Sequence, residues 1–173
     1  MRYDFFCISL VLTVIQMVDA KPRFNPVSDF DLNRYLGKWY EIARFQHRFE
    51  KDLVNVTATY TLRDDGKVDV LNQGYNNSKD GKLKTARGKA KFAGSKNIGH
   101  LKVTFFWPFY GDYIIVELDK ENYNFALVVS DSYDYLWILS RTPNLESAIL
   151  ISLLDKAREL GFDTNKVYLV PQE

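Results

Sequence analysis

The sequence predicts an all-β domain with one C-terminal helix, its strands closed into an eight-stranded antiparallel up-and-down barrel. Three observations carry this prediction. From Lys38 onward, short β-rich runs alternate with turn residues at the close spacing typical of sandwiches and barrels. Several runs switch between apolar and polar residues at every step, the period of a strand with one buried face. After Pro143 the apolar period becomes that of a helix.

In the first run, Lys38–Phe45, alternation puts Trp39, Glu41, Ala43 and Phe45 on one face, with Tyr40 and Ile42 on the other. In the second, Val56, Ala58, Tyr60 and Leu62 alternate with Thr57, Thr59, Thr61 and Arg63 before an Asp64-Asp65-Gly66 turn. Val68–Gly74 is the third run, and a loop rich in Asn, Asp and Gly leads to the fourth, Lys84–Phe92. There Ala86, Gly88, Ala90 and Phe92 share a face. Ala and Gly leave volume that a solid core fills with Leu or Ile, so this face makes room for a ligand. Leu101–Trp107, Tyr113–Leu118, Phe125–Val129 and Tyr135–Ser140 complete the eight, with breaks at Pro108/Gly111, Asp119–Asn122 and Ser130–Asp134. The helix then carries Ile149, Leu150, Leu153, Leu154, Ala157 and Leu160 on one stripe, with Asn144 as its expected cap and Gly161 as its stop. That stripe needs cover, which the outer face of the last strands supplies. Val167–Val170 reads as a short ninth strand.

With 173 residues, 46% of them hydrophobic, the chain has the size of one domain and too much core-forming material for disorder. Lys+Arg 23 against Asp+Glu 22 leaves a net charge of +1, no global field to attract nucleic acid or an anionic membrane. The single cysteine, Cys7, excludes an intramolecular disulfide, and with His47 and His100 it cannot build a Cys/His zinc cage; no metal or cofactor is expected. Residues 1–20 combine an apolar block, Phe5–Ile15, with Val18-Asp19-Ala20, the pattern of a secretory signal cleaved after Ala20. The block is shorter than the ~20 residues of a membrane span. The domain is therefore expected over residues 21–173, secreted or periplasmic. Because Cys7 stands at the start of the apolar block rather than after it, no lipid anchor is expected.

Gly37-Lys38-Trp39-Tyr40 at the head of the first strand resembles the Gly-x-Trp-Tyr signature of lipocalins, preceded by an apolar turn (Phe30, Leu32, Tyr35, Leu36) that plugs one barrel end in that family. Arg141, closing Leu136–Arg141, resembles the family's third signature. The second, typically Thr-Asp-Tyr, appears only as Leu118-Asp119-Lys120. The strings Tyr35–Arg44, Val56–Leu62 and Leu136–Pro143 are similar to the bacterial lipocalin and apolipoprotein D branch. The resemblance implies that Trp39 packs against Arg141 to close the barrel base, with Gly37, Trp39 and Arg141 as framework. It also implies ligand contacts at Tyr60 and Trp137.

Strand parity extends that set. If Tyr60 faces inward, so do Val56, Ala58 and Leu62, while Tyr135, Trp137 and Leu139 share the inner face of the eighth run. Ala86 and Ala90 supply the space. Tyr and Trp combine an apolar body with a hydrogen-bond donor, which suits a ligand with a chain and a polar head; the alternative is ordinary core aromatics. Glu41 enters the cavity with Asn72 near it, and a buried carboxylate there needs a partner, a proton or a ligand head group. At the open end Phe105, Trp107, Pro108, Phe109 and Tyr110 form an aromatic cluster. It has three functional readings, a cap on the ligand entrance, a homodimer contact or a peripheral membrane contact, against that of a locally packed hairpin.

The residues thus favour a binding and transport protein for a small lipophilic ligand, with fatty acid or lysophospholipid implied by the resemblance and haem, sterols and retinoids left open. The alternative is a secreted protein that uses the barrel mouth against a partner. Catalysis is disfavoured: thiol-based lipocalin isomerase chemistry needs a cavity cysteine, and neither histidine sits in a clean inward position.

Overall fold

The computed structural model describes residues 22–48 and 50–172. The leader expected over residues 1–20, with Cys7, lies outside them. A short helix, α1 (Leu32–Tyr35), precedes eight strands: β1 (Gly37–Phe45), β2 (Leu53–Leu62), β3 (Val68–Asn76), β4 (Leu83–Phe92), β5 (His100–Phe106), β6 (Phe109–Leu118), β7 (Phe125–Val129) and β8 (Leu136–Ser140). After them come α2 (Ser147–Glu159) and β9 (Val167–Leu169). Every consecutive pair is antiparallel, and β1 pairs with both β2 and β8, which closes the barrel.

The barrel has a closed and an open end. At the closed end Asp31 caps α1 through the backbone N–H of Asn33, and Arg34 donates to the carbonyls of Lys120 and Glu121 in the β6–β7 loop. The β1–β2, β3–β4, β5–β6 and β7–β8 connections gather at the opposite, open end. Trp107-Pro108 alone joins β5 to β6, so the expected break reaching Gly111 is shorter than the sequence suggested. Helix α2 starts at Ser147 with Glu146 at its cap position, so Asn144 does not cap it. Its stop is as expected. Gly161 adopts φ +94°, and Phe162 and Gly161 donate to the carbonyls of Ala157 and Arg158, the paired bonds that end a helix in a left-handed residue.

Two apolar layers result. Inside the barrel, Trp39, Tyr35, Val70, Leu101, Ile115 and Val128 fill the lower half. Outside, Leu153 and Ala157 of α2 pack with Leu136, Ile138, Ile114 and Leu127 on the outer sheet face.

Bulges interrupt the simple alternation. Glu41 pairs with Leu139 but Ala43 pairs with Ile138, so Ile42 is an extra residue and parity inverts beyond it. Ala43 and Phe45, expected inward, lie in the outer layer under α2, and Arg44 takes the inward place opposite Trp137. In β2 a second bulge sits between Val54 and Thr57, with Asn55 at φ +50°. Leu62, expected inward, pairs with Val68 at the closed end and remains exposed there.

Strands β1 and β2 pair only over their lower residues, Gly37–Tyr40 with Tyr60–Thr57. Above that point β9 takes over the edge of β1, pairing Ala43, Arg44 and Phe45 with Leu169, Tyr168 and Val167. The chain end then reaches back to β2: Asn55 donates its N–H to the Pro171 carbonyl, and the Gln172 amide donates to the carbonyls of Glu41 and Val56. The tail thus completes the wall where the two strands part.

Candidate functional site

The lower interior is a floor of aromatic rings. Trp39 donates its indole N–H to the Tyr35 carbonyl at 2.8 Å, and the Arg141 guanidinium lies 3.9 Å from the centre of the Trp39 ring. Arg141 also donates to the carbonyls of Arg34, Lys38 and Tyr123, tying α1, β1 and the β6–β7 loop together. Gly37 precedes this stack at φ +93°, a conformation costly for any side chain.

Above the floor three phenol oxygens meet. The Tyr113 hydroxyl lies 2.7 Å from that of Tyr35 and 2.8 Å from that of Tyr60. Burial pushes all three phenols above their ordinary range, so they stay protonated. Three protons serve two contacts, which leaves one phenolic O–H to donate elsewhere.

The middle of the barrel holds small residues. Ala58, Asn72 and Ala86 stand side by side across β2, β3 and β4. Ala86 is exposed although it faces inward, and the buried Asn72 side-chain oxygen has no hydrogen-bond partner. One step lower the row is Tyr60, Val70 and Gly88. A Cβ on Gly88 would stand 2.9 Å from the Phe105 ring, so Gly at this place lets that ring lie over the inner face of β4. Ala90 is buried in the packed lower core and adds no free space. Val56 lies against Gly74 higher on the wall.

On the opposite wall Trp137, Tyr135 and His47 form a ladder, with ring centres 5.7 Å and 4.2 Å apart. Beside it is a buried charge cluster. Arg44 donates to Glu41 at 2.6 Å, and its Nε lies 3.7 Å from Glu50. Glu41, expected near Asn72, has Arg44 as its partner instead. Burial raises the Glu41 pKa despite the attraction of Arg44; burial and the nearby Glu41 charge push Glu50 up to about 7. One guanidinium therefore faces two carboxylates that both resist ionisation.

Tyr60, Trp137, Tyr135, Ala58, Asn72, Ala86 and Phe105 are thus gathered around one interior, while Glu41 is engaged in an ion pair and Ala90 in packing. Tyr113 and Arg44 escaped the sequence reading, which named Tyr35 only as part of the apolar plug. Tyr113 was legible from parity with Ile115. Arg44 was not, because the bulge at Ile42 has no signature in the residue pattern.

Comparison with known proteins places the chain. A lipocalin-like domain matches residues 30–172. The outer membrane lipoprotein Blc of Vibrio cholerae is 53% identical over 149 residues, 86% of each chain. Mouse apolipoprotein D is 35% identical over 157 residues, covering 85% of this chain and 80% of its own. The structure of insecticyanin from the tobacco hornworm Manduca sexta superposes with a TM-score of 0.69 at 23% identity, over 87% of this chain and 85% of that one, a likeness of fold. The Blc protein of Escherichia coli, also named an outer membrane lipoprotein, is 51% identical over 146 residues. These relatives overturn the expectation, drawn from the position of Cys7, that the protein has no lipid anchor. The matches span nearly the whole barrel and agree with its topology, and the chain therefore belongs to the lipocalin-like family.

Proposed function

We propose that the barrel binds a single-chain amphiphile, a fatty acid or lysophospholipid, and acts as a carrier rather than an enzyme. The row Ala58, Asn72, Ala86 supports this reading most directly: it is inward-facing and made of small side chains, its Ala86 stays exposed, and it holds an unpartnered amide oxygen. A chain lying there removes each CH₂ from water for a gain of ~0.8 kcal/mol. Trp137 and Tyr135 offer it flat apolar surface, while Asn72 and the spare phenolic O–H suit oxygen atoms of a polar group. The names of the apolipoprotein D and outer membrane lipoprotein relatives agree with a lipid-associated role.

Titration of delipidated protein with fatty acids and lysophospholipids, followed by tryptophan fluorescence, tests the proposal. Ala86→Phe fills the open row and is expected to lower affinity about a hundredfold or more, losing most of the chain's buried area. Thr59→Phe, on the other side of β2, is expected to bind as wild type. Equal affinity in wild type and Ala86→Phe sinks the carrier reading.

A further inference from the structure

The polar groups that face the cavity differ with depth, and the strand registers order them. Asn72 stands beside exposed Ala86, and its buried side-chain oxygen accepts from no described residue. One inward row below lies Tyr60, the diagonal neighbour of Asn72 across β2 and β3. Tyr60 and Tyr35 are buried, but Tyr113, whose hydroxyl joins theirs, is only half-buried. The centre of the phenol cluster is therefore within reach of the cavity, with one O–H to spare.

This level offers nothing to a charged group. Arg44 is occupied by Glu41 and Glu50, and Arg141 lies against the Trp39 ring in the closed end, its donors on three backbone carbonyls. A carboxylate placed here also has Glu41 for a neighbour, whose charge is felt at Tyr60. A plain methyl end does no better, since it takes the Asn72 oxygen out of water and supplies no donor. A hydroxyl both donates and accepts, so it can serve the Asn72 oxygen and the spare phenol at once.

A cation stands higher up. Lys84 pairs with Gly74, and the unbroken alternation through Ala86 and Gly88 puts it on the inward face of β4, one row nearer the mouth. It is exposed there. The mouth acids Asp52 and Asp80 stand on the β1–β2 and β3–β4 loops, and among the described residues no ion pair joins either to Lys84.

We propose that the barrel selects acyl chains that carry a hydroxyl in mid-chain: Lys84 holds the ionised head at the mouth, and Asn72 with the phenol cluster takes the hydroxyl. Inward rows on a strand are ~7 Å apart, so, allowing for the Lys84 stem, the hydroxyl falls roughly ten carbons from the head. The inference rests on the carrier reading and names the chain chemistry that reading leaves unspecified.

Titration of the delipidated full-chain protein with octadecanoic acid and its 2-, 10- and 12-hydroxy derivatives, followed by tryptophan fluorescence, is the test. The tighter of the 10- and 12-hydroxy acids is expected to bind about tenfold more tightly than octadecanoic acid. The 2-hydroxy acid, whose hydroxyl stays at the mouth, is expected to bind like the parent acid. Asn72→Leu, close in shape, is expected to erase the preference, the parent acid then binding the more tightly. Lys84→Met is expected to weaken all four acids about threefold and to keep the order among them. Equal affinity of wild type for all four acids overturns the selection and leaves the carrier reading standing. Binding of none of them overturns both. A tenfold preference that survives in Asn72→Leu also overturns the proposal, because the hydroxyl is then held elsewhere.

Discussion

Glu50 shows how a single side chain can make this protein respond to pH. It sits against the buried Arg44–Glu41 pair, where lost hydration and the charge of Glu41 raise its pKa from 4.5 to about 7. The folded state therefore holds a proton that the unfolded chain releases at lower pH. Its contribution to stability is fully present below about 4.5 and is lost as pH rises through about 7. Thermal melts between pH 5 and 8 are expected to show falling stability with rising pH across this window, on the order of 1–3 kcal/mol. Glu50→Gln, which carries no titrating proton, is expected to flatten the profile. An unchanged slope in that variant assigns the pH dependence to another group. The sequence made Glu41 visible as an inward acid but gave no hint of Arg44, whose burial depends on one extra residue in β1. Parity arguments hold only as far as the first bulge.

Among the elements, β9 and the residues after it do more than extend the sheet. The barrel wall opens where β1 turns away from β2 toward β9, and Gln172 fills that gap by donating to one carbonyl on each strand, Glu41 at 2.8 Å and Val56 at 3.1 Å. Without those donors two partly buried carbonyls lose their partners. Gln172→Ala is expected to cost ~1–2 kcal/mol in urea unfolding. Its largest loss of amide protection in hydrogen exchange is expected in the upper half of β2. Protection loss confined to α2 contradicts this account. The short apolar run Val167–Val170 announced a strand, but its neighbours were not legible. A three-residue strand carries no register information until the gap it enters exists.

At the scale of the whole molecule, stability and binding are divided between the two ends of the barrel. The closed end is packed around Trp39, fully buried between Tyr35 and Arg141. The middle and the mouth carry the small, incompletely packed residues. Trp39→Ala is expected to lower stability by ~3–5 kcal/mol, as truncation of a buried Trp does. It is expected to leave the class of ligand unchanged, since the Ala58–Asn72–Ala86 row stands above the floor. Denaturant melts run beside ligand titrations check both halves. Wild-type melting with lost affinity makes Trp39 part of the binding site instead.

The sequence by itself determined the number and order of the strands, the single helix and its glycine stop, the Trp39 signature and most of the inward aromatic residues. These depend on local periodicity and turn chemistry, which neighbouring residues encode. Tertiary structure alone decided the inversion of β1 beyond Ile42, the partnership of Glu41 with Arg44 and the meeting of three phenols contributed by α1, β2 and β6. It also decided the demotion of Ala90 from cavity to core and the closure of the wall by Gln172. Each depends on register between strands distant in sequence, and register is settled only when the barrel closes and every inward residue must share one volume.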